Sequence, residues 1–246
     1  MQLNLSLDKC QIMRINCFNI QPKLAIMGRE LPEVAEINDL GIIFDQKLTF
    51  SSHCLRVVKK SANVINFIFR NFKTKDTPFL RKMYCTYVLP IIDYGCIIYH
   101  PYTTQNIKLI ESIQRYFTRR IPEFFHRKIS YLDRLNLLAL DSLELRMIKF
   151  SLCFVYKIIY GYVDLQFAEL FKFSTNAHGT RSNGLKLEIE CSRNNKRKFF
   201  FSARVVRFWN SLPREVVMSR SLNDFKSCLS KSGVESILRE FMVQKL

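Results

Sequence analysis

No two aspartates stand side by side anywhere in the 246 residues. Polymerase chemistry needs at least two carboxylates close together to hold a pair of metal ions, so this chain is not expected to carry such a centre. No Gly-x-Ser-x-Gly turn and no phosphate-cradling glycine loop occurs, which removes the serine-hydrolase elbow and the P-loop. The eight cysteines form no Cys-x-x-Cys pair, and His53, His100, His126 and His178 lie in no ligand spacing. Neither a metal site nor a disulfide framework is expected; the cysteines read as reduced thiols in apolar stretches. Nucleophilic catalysis from the scattered Cys and His set stays open, but nothing selects a pair. Glycine and proline number only 7 each, against a loop-rich or all-β chain. The most apolar runs, Tyr84 to Tyr99 and Phe150 to Tyr160, are broken by Pro90 and Asp93 and by Lys157. No span of a bilayer and no signal peptide is therefore expected, and the reading is an intracellular protein.

What the chain does have is positive charge. Lys and Arg total 38 against 21 Asp and Glu, a net of +17. Residues 1–50 hold five basic and six acidic residues, and residues 51–246 hold 33 and 15. The basic surplus thus belongs wholly to the second part, and a surface of that sign attracts polyanions. Nucleic acid is the first candidate; non-specific adhesion to anionic lipid or RNA is the plainer alternative. Hydrophobic residues make up 48%, enough for a real core.

Periodicity predicts a mainly α fold with a small β portion. Residues 12–50 read as strands and turns: Ile12 to Ile20, a hairpin from Leu24 to Leu31 turning near Gly28, and a buried strand from Leu40 to Asp45. From Ser51 or Ser52, as N-cap, an apolar stripe of Leu55, Val58, Ala62, Ile65, Phe69 and Phe72 predicts a long helix. Thr77-Pro78 reads as a cap and first helical position, with Pro90 kinking or ending that helix. Ile107, Ile110, Ile113, Phe117 and Ile121 line the core side of a helix stopped by Pro122. A short helix lies near Ser130 to Leu138. Asp141 to Glu144 resembles a capping box, opening a helix closed by Gly161. Beyond a loop at 172–184, Leu185 to Cys191 alternates like a half-buried strand, and helical segments come next from Phe199 and from Ser221. The domain reading is 1–50, 51–171 and 172–246.

Two basic clusters carry the binding case. On the helix ending at Pro122, Lys108, Arg115 and Arg119 share one face; Arg120 adjoins them, and Arg127 and Lys128 come after it among Tyr116, Phe117, Phe124 and Phe125. The second cluster is Arg193, Lys196, Arg197, Lys198, Arg204 and Arg207, six basic residues with no acid, interleaved with Phe199, Phe200, Phe201 and Phe208. Guanidinium forks suit phosphates, and aromatics stack on bases. The plain counterpart is a solvated basic face over a phenylalanine-rich core. Asp45, Asp93, Asp133 and Asp141 are isolated and read as capping and turn residues.

Seven phrases recur in a known order. Leu40-Gly-Ile-Ile-Phe-Asp-Gln-Lys-Leu-Thr-Phe50 resembles the stretch after the polymerase core in non-LTR retrotransposon (Jockey-like) reverse transcriptases. Tyr87 to Gly95, Glu111 to Arg119, Ser130 to Leu135, Leu143 to Arg146, Tyr156 to Gly161 and Phe208 to Pro213 resemble, in order and approximate spacing, the rest of those tails. Two positions depart: Met147 stands where the family usually has a second arginine, and Tyr99 or His100 where it tends to have tryptophan.

The resemblance implies a post-catalytic fragment. Residues 20–45 would match a primer-grip hairpin, and residues 51–160 a helical thumb with the segment C-terminal to it. Lys9 matches a lysine proposed to protonate pyrophosphate; as a bare residue it is a surface lysine. The catalytic aspartates, and the divalent metal (magnesium) they would hold, are expected only in an intact parent. The expectation is a non-catalytic fragment of an RNA-directed DNA polymerase, gripping RNA or DNA duplex by its backbone, with no cofactor and no small-molecule substrate. The alternative is a host nucleic-acid-binding or helical adaptor protein.

Overall fold

The computed structural model describes residues 6–15, 23–125, 128–174, 185–192 and 195–243. Two antiparallel hairpins come first. Strands β1 (Ala25–Ile26) and β2 (Arg29–Glu30) turn through Met27 and Gly28, and β3 (Glu36–Asp39) and β4 (Ile42–Asp45) turn through Leu40 and Gly41. All four turn residues have positive φ, the type I′ geometry that matches strand twist. The first hairpin is the one predicted. The second corrects the sequence reading, because Leu40 and Gly41 form a turn and not the start of a strand. Of the predicted strand from Ile12, residues 16–20 lie outside the described set, and Ile12 makes a single bridge to Glu33.

Thirteen helical segments come next among the described residues: α1 (Ser51–Asn71), α2 (Thr77–Met83), α3 (Leu89–Asp93), α4 (Cys96–Tyr99), α5 (Thr104–Arg119), α6 (Tyr131–Leu137), α7 (Leu143–Ile159), α8 (Phe167–Leu170), α9 (Asn195–Lys198), α10 (Phe201–Ser211), α11 (Arg214–Val217), α12 (Leu222–Leu229) and α13 (Ser232–Val243). The chain is mainly helical, as expected. Helix α1 begins without a side-chain cap of its own. Phe50 precedes it in a left-handed conformation, and the Asp45 carboxylate accepts the N–H groups of Lys47, Thr49 and Phe50 at 2.9, 3.2 and 2.7 Å. Ser51 and Ser52 are not the N-cap: Ser52 donates to Glu36 instead. At α2 the N-cap is Asp76, and the Thr77 hydroxyl donates to Glu123 at 2.8 Å. Pro90 does not end that helix. A π-helical turn (Tyr84–Val88) links α2 to α3, the kind of bulge that accompanies a kink at proline.

Packing divides into two hydrophobic cores that share one helix. Hairpin β3–β4, α1 through α5 and the start of α7 enclose the first; the rest of α7 with α10, α11, α12 and α13 encloses the second. A boundary at 171 therefore cuts the second core, since Leu145 to Ile158 pack with residues 187–238. Helix α7 is buried around most of its circumference because a core packs against each side of it. Its N-cap is Ser142, not Asp141, and Glu111 of α5 accepts the Leu143 N–H at 3.0 Å. A carboxylate there also favours the helix dipole. Asp93 is more than a turn residue: it receives a bidentate bond from Arg146 (2.8 and 2.7 Å), tying α3 to α7.

The predicted strand at Leu185 to Cys191 reduces to one bridge, Leu187 to Phe173. Its other edge is filled by a side chain: Asn210 accepts from the Leu187 N–H (2.9 Å) and donates to its carbonyl (2.8 Å), while Trp209 donates to the Leu185 carbonyl at 2.9 Å. Of the loop read at 172–184, residues 175–184 lie outside the described set.

Gly95 is a close approach between hairpin and helices. It closes α3 with φ +66, and a Cβ there would stand 2.6 Å from Cδ1 of the buried Ile42. Gly95→Ala is expected to destabilise the fold by about 2 kcal/mol, from strained backbone and overpacking together. In an Ile42→Val background, which lacks that Cδ1, the same change is expected to cost measurably less in chemical denaturation; equal costs would put the clash out of the account.

Candidate nucleic-acid interface

Helices α1 and α5 run parallel. Asn106 near the start of α5 donates to the Ser51 hydroxyl (3.0 Å) and the Thr49 carbonyl (3.2 Å), while at the far end Phe69 meets Phe117 with ring centres 5.8 Å apart. Helix α1 carries Arg56, Lys59, Lys60 and Arg70, and neither it nor its caps contain an acid. Parallel packing sets this basic helix beside the predicted basic face of α5.

Lys108, Arg115 and Arg119 are exposed on α5 as expected. Helical rise spaces them along roughly 16 Å. Arg115 lies 4.0 Å from the centre of the Tyr131 ring. Arg134 of α6 joins them, although the sequence reading did not single it out. It donates to the Thr118 hydroxyl (3.2 Å) and the Ile129 carbonyl (2.9 Å), and its pKa is lowered by burial and then by the positive charges of Arg119 and Arg115. Three guanidiniums that repel one another, none in an ion pair with a carboxylate among the described residues, are arranged to take up an anion. A signal was present in the phrase Ser130 to Leu135, but one arginine on a seven-residue helix has no periodicity to place it.

Arg120 departs from the expectation. Its guanidinium donates to Asn66 of α1 and to the Tyr116 hydroxyl (2.9 Å), and stacks 4.6 Å over Phe69. It locks α5 to α1 and is turned away from the exposed face that carries Lys108, Arg115 and Arg119. Lys128 is exposed; Arg127 lies outside the described residues.

The second cluster is dispersed. Arg193 lies outside the described residues. Lys196 donates to the Gln46 carbonyl at 3.3 Å, and Arg197 makes a forked pair with Glu190 at 3.0 and 2.6 Å. Arg204 turns inward and donates to the carbonyls of Phe199 (3.1 Å) and Ile97. Only Lys198 and Arg207 remain exposed and without an ion pair among the described residues. The aromatics divide as a core-first reading expects. Phe117, Phe124, Phe201 and Phe208 are buried, whereas Phe125 and Phe200 are exposed.

Lys9 sits exposed at the end of a single 3-10 turn. No group of three or more His, Cys, Asp or Glu is placed to hold a metal ion among the described residues. Asp93, Asp133 and Asp141 are engaged with Arg146, Ser130 and Lys149. Among the described residues no helix is long and apolar enough to cross a membrane.

No protein-family model matches the sequence. An uncharacterized protein of Caenorhabditis elegans is 31% identical over 115 residues, which are 46% of this chain and 54% of that protein. The chain thus spans about half the length of the curated relative it matches. No solved structure matches it.

Proposed function

We propose that this chain grips the sugar–phosphate backbone of a nucleic acid, as a non-catalytic, post-polymerase segment of a non-LTR retroelement reverse transcriptase. The observation that carries the grip is the convergence of Arg115, Arg119 and Arg134 with no ion pair to a carboxylate among the described residues (Glu111, in the field of Arg115, bonds Tyr131 and the Leu143 N–H instead), beside the acid-free helix α1. Backbone contacts of this kind position a nucleic acid without reading its sequence. The retroelement assignment rests on the seven ordered phrases. It is supported by what their residues do: Asp93 and Arg146 come from two phrases and pair with each other, Glu111 of a third caps α7, and Trp209 and Asn210 of a fourth hold residues 185–187.

Three phosphate contacts predict a slope near −2.7 in log K against log salt on duplex DNA, roughly a 40-fold loss of affinity from 50 to 200 mM. Filter binding across salt is the test. The double variant Arg115→Glu/Arg119→Glu is expected to flatten the slope by about two. No binding at 50 mM salt, or a slope unchanged in the variant, removes this face from the account. Primer extension on an RNA template with the purified chain is expected to yield no product; incorporation would overturn the non-catalytic part.

A second reading, a host nucleic-acid-binding or helical adaptor protein, has one observation in its favour. The two cores, from Ile42 to Leu238, are joined through α7 and Arg204, a packing that supports an independent fold. Both readings share the arginine face; specific capture by a protein partner with no salt-dependent nucleic-acid binding would favour the adaptor.

A further inference from the structure

Beside the dispersed second cluster lies a cleft of about 190 Å³ between residues 189–190 and helix α10. Its apolar lining is Phe199, Phe208, Phe241 and Ile189, and Ala203 leaves the space open. Phe199 is braced from behind by Tyr102, stacked at 4.4 Å and 13°. Lys198 and Arg207 also line the cleft and are exposed; the carboxylate in its lining, Glu190, is occupied by Arg197. Lys198 lies 5.5 Å over the Phe199 ring; an aromatic slot with exposed cations and a neutralised acid is the pairing that takes a flat ring and the phosphate attached to it.

We propose that this cleft receives one unpaired base of a single-stranded nucleic acid, with Lys198 and Arg207 on the flanking phosphates. The inference rests on the nucleic-acid reading above and adds a preference that the arginine face on α5 and α6 does not provide. A duplex keeps its bases stacked inside and cannot fill the cleft; a single strand can turn one out. Tyr102 lies just before α5, so the cleft is near the N-terminal end of that helix. Arg119 is at the other end, about 22 Å away by helical rise. A strand that follows the length of α5 from the arginines covers that rise in a few nucleotides.

The test compares a single-stranded oligothymidine with the same sugar–phosphate chain carrying abasic sites, which has equal charge and no bases. The expected result is that the intact strand binds the full chain about tenfold more tightly at fixed salt, and that Ala203→Phe, which fills the slot, abolishes the difference while leaving duplex affinity unchanged. Ile189→Asp, at an exposed rim position where folding is not at stake, is expected to do the same. Equal binding of intact and abasic strands by the wild type overturns the base slot and leaves the phosphate grip standing. A preference that survives in both variants puts the base elsewhere and also overturns it. Binding of neither strand at low salt removes the nucleic-acid reading itself.

Discussion

Arg204→Ala is expected to lower the stability of the fold by about 3 kcal/mol while leaving affinity for duplex nucleic acid unchanged. The side chain starts on α10, in the second core, and ends on the carbonyl of Ile97 in α4, whose neighbours belong to the first. Its second bond, to the Phe199 carbonyl at 3.1 Å, holds the segment leading into α10. No carboxylate balances it among the described residues. Burial pushes its pKa down to about 10, so it remains a cation at neutral pH, solvated by backbone carbonyls. Truncation orphans two acceptors, each worth roughly 1–3 kcal/mol when buried, and removes the packed stem. For a chain of this size that corresponds to a fall in Tm of roughly 6–12 °C. Arg204→Lys is expected to recover less than half, since one ammonium cannot span two carbonyls as a fork does. Thermal denaturation checks the first part and filter binding well below Tm the second. A stable Arg204→Ala protein that has lost duplex affinity would return this residue to the ligand face where its place in the basic run put it.

Arg204 also shows where sequence reading stops. The run from Arg193 to Arg207 has one composition and several fates: two residues bond to carbonyls, one to a glutamate, and two stay free of ion pairs among the described residues. Charge density is legible in sequence; the direction of each side chain depends on what packs behind it. The same limit governs α1. Periodicity predicted a stripe of Leu55, Val58, Ala62, Ile65, Phe69 and Phe72, whereas the fully buried positions are His53, Cys54, Val57, Ser61, Ile65 and Ile68. Ile65 is buried as predicted and Val58 and Phe69 are partly buried against the first core, whereas Leu55 and Phe72 are exposed and the buried face includes His53, which meets Ile43 of the hairpin and Tyr99 of α4. Strand β3 was invisible because Glu-Ile-Asn-Asp has little β preference and its turn is Leu-Gly rather than Asn-Gly. By contrast Thr103, Ser130, Ser142 and Ser221 each accept a backbone N–H at a helix start. Local caps and proline stops placed the starts or ends of several helices, but not all: α1 begins after Phe50, α2 is capped at Asp76 and the helix runs on through Pro90, while a cap reaching in from elsewhere, such as Glu111 on α7, had no local signal.

Acidification should destabilise the protein through His53. The ring is sealed from solvent at the start of α1, with Nδ1 accepting the Ile43 N–H at 3.3 Å and Nε2 without a partner among the described residues. Burial first, and the positive charge of Arg56 second, lower its pKa from 6.5 to about 4. The unfolded chain, titrating near 6.5, therefore binds the proton before the folded one. Stability is whole above pH 6.5, falls as pH drops from 6.5 to 4, and loses nothing further to this group below 4. The shift corresponds to at most about 3 kcal/mol; the ring's position beside an open cleft lined by Arg56 and Lys60 brings the expected loss nearer 2. Glu111 acts in the opposite sense. Burial raises its pKa above 4.5, so its protonation favours the folded form as pH falls toward 4.5. The informative quantity is consequently the difference between the wild type and His53→Asn, whose amide oxygen can still accept the Ile43 N–H but does not titrate. In urea denaturation at pH 7, 5.5 and 4, the wild type is expected to lose about 2 kcal/mol more than the variant. Parallel profiles would mean that His53 is charged in the folded protein, and that the hairpin–helix contact it seals is open to water.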